Sequence, residues 1–169
     1  FMIRDLSHLD ALMRLLALEH RAEREQLASL SENLSLSERA ERGQAWLDLA
    51  CEEEAFGLGG RVLVTLARED GRPLPNRPHH GDQVAVRPRR AADVEPATAM
   101  VSRATRFRVT LAFDRPPPPF VREGRLRLDL VANDVTYRRA VANLERLKAR
   151  EKGVERRVRD VLLGQRPPA

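Results

Sequence analysis

The chain of 169 residues is long enough to bury one core and short enough to be one ordinary domain with appendages, and its single cysteine, Cys51, excludes an internal disulfide. No run approaches the roughly 20 apolar residues of a membrane span, and no basic start precedes a short apolar signal segment, so the expectation is a cytoplasmic chain without a membrane partner. The net charge of +5 is unevenly placed: residues 1–43 carry 6 basic and 8 acidic groups, residues 44–134 carry 14 and 13, and residues 135–169 carry 10 and 4. Such a C-terminal excess suits a polyanion, although all but two of the basic residues are arginines in an alanine-rich chain, as GC-rich coding also produces.

Phe1 ahead of Met2 is set aside as foreign to the fold. From Leu6 to Leu34 apolar residues recur at Leu6, Leu9, Leu12, Met13, Leu16, Leu27, Leu30 and Leu34, interrupted by the polar stretch Glu19 to Gln26. This period predicts one long helix of about 40 Å. Ser35 and Glu38 stand in capping-box spacing and Gly43 marks a stop, which predicts a short second helix.

Between Ala45 and Val131 the apolar period becomes 2. AWLDLA, RVLVTLA, DQVAVRP, ATAMVSRA, FRVTLAF and RLRLDLV are separated by Gly57-Gly59-Gly60, Asp70-Gly71, Gly81-Asp82 and the proline run 116–119. Six short strands predict a small antiparallel barrel. In the fifth, Phe107, Val109, Leu111 and Phe113 share the core face while Arg106, Arg108 and Thr110 share the other. In the sixth, Leu126, Leu128 and Leu130 oppose Arg125, Arg127 and Asp129.

The strand at Leu126–Val131 stops at Asn133-Asp134, a turn-and-cap pair, and a basic amphipathic helix follows at once. Tyr137, Ala140, Val141, Leu144 and Leu147 form its apolar stripe, with Arg139, Arg146 and Arg150 opposite. Gly153 is expected to end it. A last helix over about Glu155–Leu163 precedes Gly164 and Pro167-Pro168. The economical arrangement pairs the two long helices antiparallel. The expected fold class is therefore α+β: a six-stranded antiparallel β-barrel over residues 44–134, carried on a stalk whose parts are residues 1–43 and 135–169.

No catalytic constellation is visible. Gly57 to Gly60 lacks the lysine and hydroxyl of a phosphate loop and fits a hairpin turn better. His79-His80 has no second ligand pair, Cys51 no activating partner, and Glu52-Glu53-Glu54 fits a solvated strand end better than a cation site, so no metal ligand is assigned. What remains is a binding surface. Arginines on the outer face of a small barrel can track phosphates, and with 4% aromatic residues, two of them assigned to the core, base stacking is expected to be minor. The candidate nucleic-acid contacts are Arg106, Arg108, Arg125 and Arg127 on the barrel and Arg139 and Arg146 on the helix. Solvated sheet and helix faces are the bland alternative for each.

The segments GLGGRVLVTL, VTLAFD, LVANDVTYRRAVANLERL and VLLGQRPP resemble the region ahead of the motor in superfamily 1 helicases of the immunoglobulin-mu-binding and up-frameshift type. The resemblance runs from about Leu9 to Pro168. Its most specific part is Leu130 to Arg139, with Val131 as an extra residue. It implies a β-barrel accessory domain on a two-helix stalk, joined to the RecA-like motor of a parent that hydrolyses ATP with magnesium and moves 5′ to 3′ on single-stranded RNA or DNA. The family's ATP-binding loop lies downstream of the segment resembling LLGQRPP, so the resemblance implies a motorless fragment with no cofactor of its own. Arg138 and Arg139 then have two possible tasks, ion pairing with Glu19, Glu23 or Glu25, or facing the nucleic acid; pairing is expected for one of them. The alternative function is a protein-interaction platform that regulates or anchors the helicase without touching nucleic acid.

Overall fold

The computed structural model describes residues 6–91, 93–150 and 152–167. Its elements, in chain order, are α1 (Ser7–Asn33), α2 (Leu36–Glu41), β1 (Ala45–Phe56), β2 (Val62–Arg68), β3 (Gln83–Pro88), β4 (Ala97–Ala104), β5 (Arg108–Phe113), β6 (Leu126–Val131), α3 (Asp134–Ala149) and α4 (Val154–Leu162). They divide into two compact units, residues 25–132 and residues 1–24 with 133–169.

In the first of these units the six strands close into an antiparallel barrel in the order β1-β2-β5-β4-β3-β6. Alternation explains the core. Val62, Val64 and Leu66 of β2, Val84 and Val86 of β3, Val109, Leu111 and Phe113 of β5, and Leu126 and Leu128 of β6 point inward and are buried. Trp46 and Leu49 of β1 join them, and the Trp46 indole Nε1 donates to the Asn76 carbonyl at 2.7 Å. Val121, fully buried, comes from a single 3-10 turn at Pro119–Val121 after the proline run.

β1 is longer than expected, reaching Phe56, because its second half pairs with β2 alone. Glu52 to Phe56 of β1 are all exposed, so no apolar alternation marks that half of the strand. Register shifts fall between Trp46 and Leu49, Cys51 and Glu53, and Val101 and Arg103, and such bulges bend strands and re-aim side chains. The α2 capping box forms as expected, the Ser35 hydroxyl accepting from the Glu38 N–H and the Glu38 carboxylate from the Ser35 N–H. Gly43 follows at φ +71, where a Cβ would stand 2.9 Å from the Asn76 Cβ. Asn76 Nδ2 donates to the carbonyls of Ala40 and Glu41, tying the end of α2 to the β2–β3 loop.

In the helical unit, α1 and α3 run antiparallel. Lys148 meets Asp10 at 2.6 Å, while ten residues further along α1 His20 meets Asp134 at 2.8 Å and stacks on Tyr137 at 4.3 Å. Asn133 caps α3, its Oδ1 accepting from the Thr136 N–H. Arg138 and Arg139 form no ion pair with Glu19, Glu23 or Glu25 among the described residues. His20 takes the place beside Asp134, and Arg138 turns back to the Asp134 carbonyl at 3.3 Å.

The end of α3 also differs from expectation. Its last helical residue is Ala149, and Gly153 instead caps the start of α4 at φ +93. Arg159 takes up the carbonyls that this helix end leaves free. This buried guanidinium donates through Nη1 to the carbonyls of Leu147, Lys148 and Arg150 at 3.2, 3.1 and 2.8 Å, and through Nε and Nη2 to Asp160. A cation is thus seated on the negative end of the α3 dipole. Pro168 lies outside the described residues.

Candidate nucleic-acid interface

Strand pairing places the four barrel arginines in two connected regions. Leu126 faces Leu49 and Pro88, Leu49 faces Arg68, and Ala67 faces Arg108, so the starts of β5 and β6 and the ends of β2 and β3 share one rim. Arg106, Arg108 and Arg125 stand on this rim with Arg68, Arg89 and Arg90, none of the last three marked by sequence reasoning. Their signal was weak. Arg89-Arg90 follows Pro88 in what reads as a loop, and only the β3–β6 register shows that Arg125 is its neighbour, the Arg89 N–H donating to the Arg125 carbonyl at 2.8 Å.

The rim opens into a shallow cleft of about 740 Å³ lined by Asp48, Arg89, Arg90, Glu123 and Arg125, with Pro88, Ala91 and Gly124. Asp48 lies in the β1–β6 register shift at φ +56, a conformation that aspartate tolerates better than most side chains. The shift aims its carboxylate at Arg89 Nε, 3.2 Å away. Arg89 and Arg125 are thus paired, with Asp48 and with Glu69 beside the cleft, and Arg90 has no carboxylate partner among the described residues.

Most of the rim's charge is locally balanced. Arg108 meets Glu52 at 2.6 Å, since the bulge at Glu52 turns that side chain across β2, and Arg125 meets Glu69 at 2.5 Å. Arg68 and the Arg72 N–H hold Asp70, and these hydrogen bonds, Arg68's first, lower its carboxyl to about 2. Arg122 pairs with Glu54 at 2.6 Å and lowers its carboxyl too, so two members of the acidic run 52–54 partner arginines. These pairs are exposed, where water and salt screen the attraction, so phosphates can displace the acids. Arg90 and Arg106 have no carboxylate partner among the described residues, which leaves them immediately available.

Arg127 stands apart from the rim. With Arg87, its direct neighbour on β3, and Arg39 of α2 it surrounds Asp129, at 2.9, 3.6 and 2.8 Å respectively. Asp129 is buried on the outer face, where α2 covers it, so Arg127 has a structural task that strand alternation could not reveal. Arg139 and Arg146 are exposed on α3 in the helical unit. Arg146 donates to Asn143 at 3.2 Å, and neither has a carboxylate partner among the described residues.

One assignment is corrected. Phe107 does not belong to the core: it is 43% exposed, because β5 begins only at Arg108 and Phe107 lies in the turn before it. Phe113 is buried as expected. His79 and His80 diverge, His79 toward Asp82 and His80 to the Ser102 carbonyl at 2.7 Å. Gly57 to Gly60 forms the β1–β2 turn. Among the described residues no three His, Cys, Asp or Glu side chains converge on a metal-sized site, and no helix is long and apolar enough to cross a membrane.

The family model described as Helicase SMUBP-2/HCS1, 1B domain, matches residues 10–121. DNA-binding protein SMUBP-2 of Mesocricetus auratus is 35% identical over 164 residues, and that of Mus musculus 33% identical over 163. Each match covers 93% of this chain and 16% of the relative, so the chain spans about a sixth of the length of the curated relatives it matches. The closed barrel with its paired helices, the family match over most of the chain and the identity of these relatives lead to one conclusion: the chain belongs to the SMUBP-2/HCS1 helicase 1B-domain family.

Proposed function

We propose that this chain is the nucleic-acid-binding accessory domain of an ATP-dependent helicase of superfamily 1, one that moves 5′ to 3′ on single-stranded DNA or RNA in the cytoplasm. In this reading ATP and magnesium belong to the RecA-like motor of the parent, as the resemblance to superfamily 1 helicases implies. The observation that carries the proposal is the rim of Arg68, Arg89, Arg90, Arg106, Arg108 and Arg125, built from four strand ends and open to solvent at the Arg89–Arg90 cleft. The relatives are named DNA-binding proteins, which makes single-stranded DNA the first ligand to try.

Contacts of this kind are to phosphate and tolerate any sequence. Displacing three or four counterions gives a log–log slope of affinity against salt of roughly −2 to −3 for a single strand. Fluorescence anisotropy with a labelled oligonucleotide across a salt series measures it. Arg89→Glu/Arg90→Glu is expected to flatten the slope by about one to two, and Arg139→Glu/Arg146→Glu separates the helix from the barrel. Absence of binding at low salt, or binding indifferent to salt, refutes the proposal.

A second function, docking of a protein, has one observation in its favour. Helix α4 buries Arg159 and Asp160 and exposes Val154, Val158 and Leu162, the reverse of an ordinary surface helix. Retention of a protein regulator by a chain that leaves oligonucleotides unbound would favour it.

A further inference from the structure

Phe107 is an aromatic side chain of the rim that the barrel core does not use. It lies in the β4–β5 turn, and three constraints hold that turn. The Thr105 N–H donates to the Arg108 carbonyl at 2.8 Å, the Thr105 hydroxyl accepts from the N–H groups of Phe107 and Arg108 at 3.4 and 3.1 Å, and the Leu74 N–H donates to the Arg106 carbonyl at 2.8 Å. The ring is therefore presented on a braced turn, and little ordering is left for a ligand to impose. The Arg106 guanidinium lies over it, 5.5 Å from the ring centroid, and has no carboxylate partner among the described residues.

A lone exposed phenylalanine is ordinary. This one is flanked by Arg106, which has no carboxylate partner among the described residues, and by Arg108, whose exposed partner Glu52 a phosphate can displace, on the same rim as Arg68 and Arg125. We infer that Phe107 and Arg106 form a stacking plate for one unpaired nucleobase of a single strand whose phosphates follow the rim. The inference rests on the function proposed above and adds to it a base-directed contact, which composition argued against. Every base has a π-face, so the plate increases affinity without reading sequence. Arg106 contributes a cation to the stack as well as to the phosphate path.

The test uses the full chain and two labelled DNA strands of equal length, one of thymidines and one with abasic tetrahydrofuran units, at low salt. The thymidine strand should bind about fivefold or more tightly than the abasic one, the lower end of what a single stacked base contributes. Phe107→Leu should weaken thymidine binding by about that factor, leave abasic binding unchanged and keep the parent's urea midpoint, since Phe107 is outside the core; Phe107→Trp should preserve the preference. Equal binding of the two strands by the parent chain, or an equal loss on both strands in Phe107→Leu, overturns the stacking plate while leaving phosphate binding intact. Failure of both strands to bind overturns the proposed function, and the plate with it.

Discussion

Replacing Asp129 by asparagine tests how the barrel tolerates its arginines. The Asp129 side chain is 10% exposed and Arg39 11%, whereas Arg127 and Arg87 keep 24% and 28% of their surface in water. Removing one partner of a buried ion pair costs about 3–5 kcal/mol, because the remaining charge stays desolvated. Arg87 and Arg127 can turn toward solvent, which places the cost of Asp129→Asn near the lower figure, about 3 kcal/mol. With a urea dependence of about 1.5 kcal/mol per molar for a unit of this size, the unfolding midpoint should fall by about 2 M. Trp46, the single tryptophan, reports it from inside the barrel. Added salt should restore part of the loss by screening Arg87 from Arg127, which face each other across β3 and β6. On an Arg39→Met background the same replacement should cost measurably less, since the two residues share one bond. A midpoint shift below about 0.5 M would show that the cluster is solvated in solution and that Asp129 carries no buried charge pair.

Gly43→Ala should destabilise the barrel unit by about 1–3 kcal/mol in the same urea assay, because φ +71 strains alanine and its Cβ would press on Asn76. Asp70 is held at about 2 against an ordinary 3.8, chiefly by Arg68, so its contribution is complete above the ordinary value and disappears as pH falls toward 2. Urea midpoints of Asp70→Asn should accordingly change less than the parent's over that acid window. Arg159→Met removes the shared donor of the Leu147, Lys148 and Arg150 carbonyls and leaves Asp160 with Arg156 alone, and hydrogen exchange of the α4 amides should accelerate about tenfold or more, with barrel amides unaffected.

Much of the fold is legible in local pattern. Six period-2 runs predict six strands, and Ser35 with Glu38, and Asn133 ahead of Asp134, predict the helix starts at α2 and α3, because alternation and capping involve residues within four positions of one another. The same locality explains the errors. Phe107 continues an apolar alternation and so reads as core, yet the turn at Thr105 leaves it outside the strand. Gly153 reads as the stop of α3, whereas the helix ends at Ala149 and its free carbonyls meet Arg159, nine to twelve positions away.

Element order, the inward faces of the strands, the family resemblance and the supply of arginines are all carried by local pattern. What those arginines meet depends on closure of the sheet. Glu52 reaches Arg108 and Glu69 reaches Arg125 across 56 positions, and Asp129 reaches Arg39 across 90. No local period encodes such separations. Closure of the barrel brings those charges together, assigns Arg127 to the structure, and leaves Arg90 and Arg106 open on the rim.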